Sequence, residues 1–266
     1  MRYAANGAQA RVAIVTGGAT GVGAATALEL ARRRYRIAIN YSRSAREAEE
    51  TVARCRGAGA DACKIQGDVA QDADCRRLVA ATAERFGRVD ALVNSAGATQ
   101  FVPLSELEGQ SAEDFRQIYA VNVIGPYQMA RAAAPHMRRG GNGAIVNVSS
   151  VGSLNGNGSS YSYVTSKAAL NTLTLALARN LAPEIRVNAV LPGLIETRWL
   201  KVGLGDEAYR RVRDGWADAA ALGKTCTAED VAQTIVWLLD EAALITGQLL
   251  TVDGGFLLGR PTRVAR

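Results

Sequence analysis

The sequence predicts an α/β fold, in which helices cover both faces of a doubly wound parallel sheet of seven strands. Short β-branched runs alternate with helical stretches along the chain, and this alternation is typical of parallel strands joined by helices. Most of these runs are continuously apolar, as expected of strands that are covered on both faces. The 266 residues, 48% of them hydrophobic, suit a single domain with a sizeable core.

The predicted elements follow one another almost without a break. The strands lie at 11–16, 36–41, 61–66, 89–94, 143–149, 185–191 and 248–252. The helices lie near 22–34, 44–57, 71–86, 111–139, 161–181 and 227–239. Thr227 and Asp230 form a capping arrangement that opens the last helix. No repeat or linker divides the chain, so we expect residues 1–266 to form one domain with a core of about 10–257.

Residues 194–222 interrupt this alternation, because no regular helix is predicted directly after the sixth strand. Apolar residues recur there at helical spacing among charged ones, including Leu204, Val212 and Trp216. The spacing is equally compatible with a buried helix face and with a mobile lid on the substrate side of the domain.

Composition excludes several kinds of site. The chain has one histidine, His136, so it cannot supply the two or three histidines of a zinc site, and no nucleophile motif accompanies it. We therefore predict no metal site. Four cysteines without a C-x-x-C spacing are typical of reduced thiols in a cytoplasmic protein. No apolar run approaches the roughly 18 residues of a membrane span, and no apolar signal segment is expected at the start.

The net charge of +6 raises the question of nucleic-acid binding. The basic residues are scattered along the chain and do not form one stripe or patch. This distribution predicts a solvated basic surface and no nucleic-acid partner.

A glycine-rich turn joins the first strand to the first helix, and residues 16–23 read T-G-G-A-T-G-V-G. Glycines let a pyrophosphate approach the backbone, and the helix N-terminus offers free N–H groups and a positive dipole end. The G-x-x-x-G-x-G spacing alone is a moderate signal, which the flanking strand and helix strengthen. The sequence thus predicts a Rossmann fold with a dinucleotide bound at Gly17, Thr20, Gly21, Val22 and Gly23.

The end of the second strand favours NADP(H) over NAD(H). An acid about 20 residues beyond the turn would hold the ribose 2′-hydroxyl of NAD, yet the chain has none there until Glu47. Ser42 and Arg43 stand at that place instead, and a guanidinium pairs with a 2′-phosphate through two directed bonds. The alternative is an ordinary exposed loop arginine.

Tyr163 and Lys167 stand four residues apart on a predicted helix, so their side chains lie on one face. A cation beside a phenol lowers a pKa that starts near ~10 and brings proton transfer within reach of neutral pH. Ser150 follows the fifth strand, at the edge where open α/β sheets bind ligands. Tyr161 falls on another face of the helix and is not the expected base.

Together these features resemble the short-chain dehydrogenase/reductases. The resemblance spans about residues 10–257, and the nearest type is the 3-oxoacyl-(acyl-carrier-protein) reductase. It rests on the glycine turn, Asn94-Ser95-Ala96-Gly97, Asn122, Ser150 thirteen residues before Tyr163-x-x-x-Lys167, Pro192-Gly193, Ile245-Thr246-Gly247-Gln248 and Val252-Asp253-Gly254-Gly255.

The resemblance implies a role for each matching residue. Tyr163 would be the general acid/base, and Lys167 would lower its pKa and bind the nicotinamide ribose. Ser150 would orient the substrate carbonyl, and Asn122 would hold a water that links Lys167 to solvent. Further cofactor contacts are implied at Asp68, Val69, Asn94, Ala96, Gly97, Pro192, Gly193, Ile195 and Thr197. A homotetramer is implied as well, packed through helices 111–139 and 161–181 and through the last strand.

The expected reaction is the reduction of a ketone, with a 3-oxoacyl thioester as the first substrate class. A dehydrogenase of another small alcohol, a sugar or a steroid is the alternative, and a non-catalytic dinucleotide sensor or scaffold is the alternative from another class. The residues expected to line the substrate pocket are Phe101, Leu154, Asn155, Tyr161, Leu194 and Trp199, with part of 200–222.

Overall fold

A computed structural model describes residues 10–196, 201 and 203–260. Its strands are β1 (Val12–Thr16), β2 (Arg36–Tyr41), β3 (Ala62–Gln66), β4 (Ala91–Asn94), β5 (Gly143–Val148), β6 (Ile185–Pro192) and β7 (Leu249–Val252). They form one sheet of seven strands in the order β3-β2-β1-β4-β5-β6-β7, and every neighbouring pair is parallel. The predicted fold class is therefore confirmed. The predicted domain limits, about 10–257, stay a prediction.

Helices connect these strands on both sides of the sheet. They are α1 (Gly21–Arg32), α2 (Ala45–Gly57), α3 (Asp72–Phe86), α4 (Ala112–Tyr119), α5 (Gly125–Gly140), α6 (Gly152–Asn155), α7 (Tyr161–Leu181), α8 (Asp206–Ala219) and α9 (Ala228–Asp240), with short 3₁₀ turns at Leu107–Gly109 and Phe256–Leu258. The Thr227–Asp230 capping box at the start of α9 is present. It satisfies backbone donors that an uncapped helix would leave open.

Successive residues of β1 point into two different apolar layers. Ala13 and Val15 pack with the layer formed by α1, α2 and α9. Val12 and Ile14 pack with the layer formed by α3, α5 and α7. Because both faces of the strand are buried, all five of its positions are apolar or small. This double burial explains the unbroken apolar runs in the sequence.

The chain reverses its direction across the sheet between β1 and β4. Strands β2 and β3 lie on one side of β1, whereas β4 to β7 lie on the other. A reversal of this kind leaves a crevice at the carboxyl ends of β1 and β4, which is where open α/β sheets bind their ligands.

The prediction of a single helix near 111–139 is wrong because the α-helix is interrupted. A π-helical turn, Ala120–Ile124, lies between α4 and α5. The side chain of Asn122, inside this turn, bonds to the backbone of Ala98 in a distant loop. The apolar pattern of one helix could not reveal this contact, because it depends on the position of the loop after β4.

The segment 194–222 contains α8 and a short extended stretch. Ile195 makes a parallel bridge with Cys226, so the chain leaves β6 in extended form before the helix. No residue of α8 is fully buried, but Trp216 is half-buried and packs against the buried residues Val151, Ala189 and Leu191. The apolar side of α8 is therefore partly a packing face. The lid assignment stays a prediction.

All four cysteines are free. No helix in the described part of the chain is long and apolar enough to cross a membrane.

Candidate active site

The glycine turn after β1 is held against the loop after β4. Thr16 Oγ1 accepts hydrogen bonds from the backbone N–H of Ser95 at 3.0 Å and of Ala96 at 3.1 Å. Gly17 adopts φ +61°, and a Cβ atom there would lie 2.8 Å from Ala96 Cα. Glycine is required at this position both by the backbone conformation and by the close approach. The contact brings the predicted residues Gly17 and Ala96 together at the crevice.

The start of α1 offers unoccupied backbone donors. Thr20 is the N-cap residue, and its side chain makes no capping hydrogen bond. Gly23 packs against the turn so closely that a Cβ atom would lie 2.3 Å from the carbonyl oxygen of Gly17. Gly21 and Val22 lie between Thr20 and Gly23, in the first turn of the helix. A helix N-terminus that lacks a side-chain cap and is approached by glycines fits a bound pyrophosphate.

A polar cavity of about 380 Å³ lies beyond the end of β2. Its lining residues are Ser42, Arg43, Gln66, Gly67, Asp68, Asp74 and Arg77. Arg77 is neutralised by Asp74 at 2.7 Å. Within the described part of the chain, the Arg43 side chain has no hydrogen-bond or ion-pair partner. Arg43 is therefore the cation in this cavity that is available to an anion.

Asp68 and Val69 follow β3 and differ in their surroundings. The Asp68 carboxylate accepts a hydrogen bond from the N–H of Ala70 at 3.0 Å and remains exposed. Val69 is buried, and its carbonyl accepts a hydrogen bond from Gln128 at 2.9 Å. The Asp68 carboxylate thus stabilises a local turn, and Val69 is fixed against the start of α5.

Tyr163 and Lys167 lie in the first two turns of α7. The Ser160 side chain caps this helix and accepts a hydrogen bond from the N–H of Tyr163. Lys167 Nζ lies 5.6 Å from the centre of the Tyr163 ring and donates a hydrogen bond to the carbonyl of Val148 at 2.8 Å. Ser150 hydrogen-bonds to the Tyr163 hydroxyl. The structure thus brings these three predicted residues together at the carboxyl end of β5.

Burial changes the proton affinity of both α7 residues. It raises the pKa of Tyr163, and the hydrogen bond from Ser150 opposes this rise. Burial also lowers the pKa of Lys167 to about 8. At neutral pH the phenol is therefore protonated and the ammonium largely charged. A proton donor beside a cation is the arrangement that the protonation of a carbonyl oxygen requires.

Asn122 is fully buried in the π-helical turn. Its Oδ1 accepts a hydrogen bond from the N–H of Ala98 at 2.8 Å, and its Nδ2 donates to Ser166 Oγ at 3.0 Å. A Cβ atom on Gly97 would lie 3.7 Å from Asn122 Oδ1 and 3.9 Å from Lys167 Nζ. Asn122, Gly97 and Lys167 therefore converge, although the Asn122 side chain bonds to Ala98 and Ser166.

Asn94 lies at the end of β4 and is buried. Its Nδ2 donates to Asn147 Oδ1 at 2.8 Å, and Asn147 Nδ2 donates to Thr174 Oγ1 at 2.9 Å. Asn94 Oδ1 is buried without a partner among the described residues. Asn94 is thus part of a chain of polar side chains that ties β4 and β5 to α7.

A second set of polar contacts, which the sequence did not predict, holds Ser150. Ser153 Oγ donates a hydrogen bond to the carbonyl of Ser150 at 2.5 Å, and Asn171 Nδ2 donates to Ser153 Oγ at 2.7 Å. The only signal was positional, because Asn171 lies four residues beyond Lys167 and so on the same face of α7. These contacts fix the backbone that carries the Ser150 hydroxyl.

A second cavity, of about 480 Å³, opens beside Tyr163 and is mainly apolar. Its lining residues include Phe101, Ser150, Val151, Tyr163, Pro192, Gly193, Leu194, Ile195, Leu204, Arg211, Val212, Gly215 and Trp216. The predicted cofactor residues Pro192, Gly193 and Ile195 therefore border the expected substrate pocket. Thr197, and the predicted pocket residue Trp199, lie outside the described residues.

Three residues predicted for this pocket do not line it. Leu154 is exposed, and the Asn155 side chain accepts a hydrogen bond from the N–H of Asn157. The Tyr161 hydroxyl donates to the carbonyl of Leu104 at 2.8 Å. The pocket prediction is wrong for these residues because hydrogen bonds hold Asn155 and Tyr161 away from the cavity, and Leu154 faces solvent. Phe101 and Leu194 do line the cavity.

No group of three histidine, cysteine, aspartate or glutamate side chains that could hold a metal ion occurs within residues 10–196, 201 and 203–260.

Comparison with known proteins agrees with this geometry. The family model described as enoyl-(acyl carrier protein) reductase matches residues 17–257. A protein from Streptomyces violaceoruber, assigned as ketoacyl reductase 2 of the granaticin polyketide synthase, is 40% identical over 93% of this chain and 96% of its own. The 3-oxoacyl-(acyl-carrier-protein) reductase of Staphylococcus aureus is 35% identical over 92% of this chain and 98% of its own.

A solved structure from Burkholderia xenovorans, assigned as a short-chain dehydrogenase/reductase, superposes with a TM-score of 0.88. It is 40% identical and covers 95% of this chain and 100% of that one. With the parallel sheet and the crevice at its edge, these similarities define an oxidoreductase of the dinucleotide-binding α/β class that acts on alcohol or carbonyl groups. The chain belongs to the short-chain dehydrogenase/reductase family.

Proposed function

We propose that this protein reduces a ketone to a secondary alcohol with NADPH and that Tyr163 donates the proton. The observation that carries this proposal is the hydrogen bond between Tyr163 and Ser150 beside the buried Lys167, at the wall of a mainly apolar cavity. A binding-only protein has no need for a buried lysine whose charge is costly to desolvate. The buried Lys167 therefore favours an enzyme over a sensor or scaffold.

The cofactor would be held along the crevice by residues of several elements. The turn at Gly17 and the start of α1 at Thr20, Gly21, Val22 and Gly23 fit its pyrophosphate. Asp68 and Val69 would border the adenine, and Asn94, Ala96 and Gly97 the adenosine ribose. Lys167 and Tyr163 would hold the nicotinamide ribose, and Pro192, Gly193, Ile195 and Thr197 the carboxamide end. When bound, the nicotinamide supplies the hydride.

The side chains of this chain move and stabilise the proton. The Ser150 hydroxyl holds the substrate carbonyl oxygen close to the Tyr163 hydroxyl. As hydride arrives at the carbonyl carbon, Tyr163 Oη gives its proton to that oxygen and becomes a phenolate. The Lys167 ammonium stabilises this phenolate at short range. Asn122 would hold the water through which the phenolate is reprotonated.

The preference for NADPH follows from Arg43. Its guanidinium lines the cavity after β2, and Arg77 in the same cavity is already paired with Asp74. A guanidinium with no ion-pair partner among the described residues can bind the 2′-phosphate through two hydrogen bonds, whereas the 2′-hydroxyl of NADH offers it no charge to pair with.

The first substrate class to test is the 3-oxoacyl thioesters. Two relatives that each share over 90% of their length with this chain carry names of ketoacyl or 3-oxoacyl reductases. Another relative, 35% identical, is the 7alpha-hydroxysteroid dehydrogenase of Clostridium sardiniense. Steroids, sugars and small alcohols are therefore the comparison substrates.

We also propose that the protein is a homotetramer in the cytoplasm. Apolar side chains are exposed on the helical face at Ile124, Tyr127 and Leu175 and on the edge strand at Leu250, and burial between copies would remove them from water. The four free thiols suit a reducing compartment. Light scattering should give four times the mass of one chain.

The test of the proposed reaction compares Tyr163→Phe with Tyr161→Phe. Removal of the Tyr163 hydroxyl should lower kcat for ketone reduction by about 10³-fold, because it removes the proton donor. NADPH affinity, measured by the quenching of protein fluorescence, should stay within a factor of about three. Tyr161→Phe should leave both quantities near wild type, since that hydroxyl bonds to Leu104. Equal activity in the two variants would show that Tyr163 is not the acid.

A further inference from the structure

The substrate cavity contains a single charged side chain among its described lining residues. Its walls are mostly apolar, and its polar side chains are hydroxyls and one amide, namely Ser149, Ser150, Ser159, Tyr163 and Asn157. Arg211 is the exception. No carboxylate among the described lining residues balances it, so the cavity presents a net positive charge to its contents.

Of the neighbouring arginines on α8, Arg211 faces the cavity, whereas Arg210 and Arg213 do not. Arg211, Val212, Gly215 and Trp216 line the cavity, and at about 100° per residue these four positions lie within an arc of about 140° of the helix. Arg210 and Arg213 do not line it. The Arg210 side chain donates to the carbonyl of Asp206, and Arg213 pairs with Asp214 at 2.8 Å.

The guanidinium of Arg211 also forms only a weak ion pair with another residue of the chain. Its nearest carboxylate belongs to Glu207, one helical turn earlier, at 3.8 Å. Both side chains are largely exposed, at 74% and 82%, and such a pair contributes little in water. The guanidinium can therefore exchange this contact for a carboxylate or phosphate that binds it through two parallel hydrogen bonds.

The exposure of Arg211 places it at the solvent end of the cavity. Tyr163 is half-buried, and its hydroxyl bonds to Ser150 at the carboxyl end of β5. Val212 and Trp216 of α8 give the same cavity an apolar wall. A ligand that fills the cavity thus contacts a proton donor, an apolar wall and a cation.

We propose that Arg211 selects ketone substrates that carry an anionic group, a carboxylate or a phosphate, separated from the carbonyl by an apolar segment. This inference rests on the proposed reduction at Tyr163 and names its substrate class. The anion is either a carboxylate of the substrate itself or the phosphate of a pantetheine arm. A preference for keto acids over their esters indicates the first, and a preference for phosphopantetheine over pantetheine thioesters indicates the second.

The experiment uses matched pairs of substrates that differ in charge alone. Methyl ketones with a terminal carboxylate, in a series of chain lengths, are compared with their methyl esters. A 3-oxoacyl thioester of pantetheine is compared with the same thioester of 4′-phosphopantetheine. For the preferred anion, Arg211→Ala should raise KM about five- to tenfold, because a charge-assisted contact at an exposed site is lost. KM for the neutral partner and kcat for both should stay within about twofold.

Two further variants separate the charge of Arg211 from the packing of its helix. Arg210→Ala removes an arginine from the same helix away from the cavity and should leave every KM unchanged. Glu207→Gln removes the competing carboxylate and should lower KM for the anionic substrate. In the wild type, KM for that substrate should rise with added NaCl, and this dependence should be lost in Arg211→Ala because screening acts on the missing charge.

The outcomes distinguish the two levels of the proposal. Equal effects of Arg211→Ala on the anionic and neutral partners would overturn the role of Arg211 and leave the reductase intact. So would an equal effect of Arg210→Ala. Failure of the wild type to reduce the neutral ketones and thioesters as well would count against the proposed reaction itself.

Discussion

Helices α7 and α8 border the same cavity but are built in opposite ways. On α7, Lys167 is 5% exposed and Ser162, Ser166 and Thr174 are fully buried, and all four take part in hydrogen bonds with their surroundings. On α8 no residue is buried. Buried polar networks are fixed by their many partners, whereas exposed helices are held by few contacts and open locally at low cost.

This difference assigns separate tasks to the two sides of the cavity. The α7 side holds the groups that transfer the proton, and a change there leaves buried donors or acceptors without partners. The α8 side would contact the remainder of the substrate. Its exposed residues can change at little cost to the core, whereas Trp216 packs against Val151 and Leu191. The reaction should therefore be sensitive to α7, and the choice of substrate to α8.

The largest effect is expected for Lys167→Met. Loss of the ammonium removes the charge that stabilises the Tyr163 phenolate, so kcat for ketone reduction should fall by about 10²- to 10³-fold. The rate of NADPH oxidation at steady state measures this kcat. Lys64→Met is the control, because that lysine pairs with Glu49 on the surface at 2.8 Å and its loss should leave kcat unchanged. A smaller loss in Lys167→Met than in an α8 variant would reverse the assignment of tasks.

The pH dependence of stability should show the cost of burying Lys167. Its pKa is lowered in the folded protein to about 8 from its ordinary value of 10.5. Below pH 8 the group is charged in both states, and the folded protein bears the full cost of desolvation. Between about pH 8 and 10 the unfolded chain binds more protons, so the contribution of Lys167 to the free energy of unfolding should improve by about 2 to 3 kcal/mol.

Urea unfolding of the wild type and Lys167→Met at pH 7.5 and pH 10 measures this difference. The wild type should gain stability relative to the variant as the pH rises. Parallel curves for the two proteins would mean that Lys167 is hydrated in the folded state.

An intermediate effect is expected for Arg43→Ala, on the cofactor side of the crevice. Loss of the guanidinium should raise KM for NADPH about tenfold, since a charge-assisted contact to the 2′-phosphate is removed. KM for NADH should change by less than about twofold. Arg46→Ala is the matched control, because Arg46 pairs with Glu50 at 3.0 Å and does not line the cavity after β2. Equal changes in both values of KM would exclude a role in NADPH selection.

The smallest effect should come from Val212→Ala, compared with Val164→Ala. Val164 on α7 is 6% exposed and Val212 on α8 is 36% exposed. Truncation of the buried valine should cost about 1 to 2 kcal/mol of stability, and truncation of the exposed one less than about 0.5 kcal/mol. Val212→Ala should instead change KM for bulky ketones about threefold. A large loss of stability in Val212→Ala would show that α8 is part of the core.

The features that the sequence predicts correctly are those with a local signal. The seven strands were predictable because a strand buried on both faces needs an unbroken apolar run. The meeting of Tyr163 and Lys167 was predictable because four residues bring side chains together on any helix.

Contacts between distant segments could not be predicted in this way. Ser153 and Asn171 support Ser150 through bonds across 18 residues, and Asn122 reaches Ala98 across 24. Neither separation follows from the repeat of a helix or a strand. The role of α8 was ambiguous because an amphipathic pattern shows that a helix has an apolar side but not what faces it. In this protein Trp216 packs against buried residues of the domain, and Val212 faces a cavity.

The π-helical turn at Ala120–Ile124 has a consequence for how this chain tolerates mutation. A π turn holds one residue more than the α-helix would and is less stable, so deletion of a residue there would relieve it. The same deletion would leave α5 in phase with the sheet, because the extra residue is accommodated within the turn, but it would take the side chain of Asn122 away from Ala98. Selection for thermal stability alone would therefore tend to remove the irregular turn, whereas selection for activity should keep it.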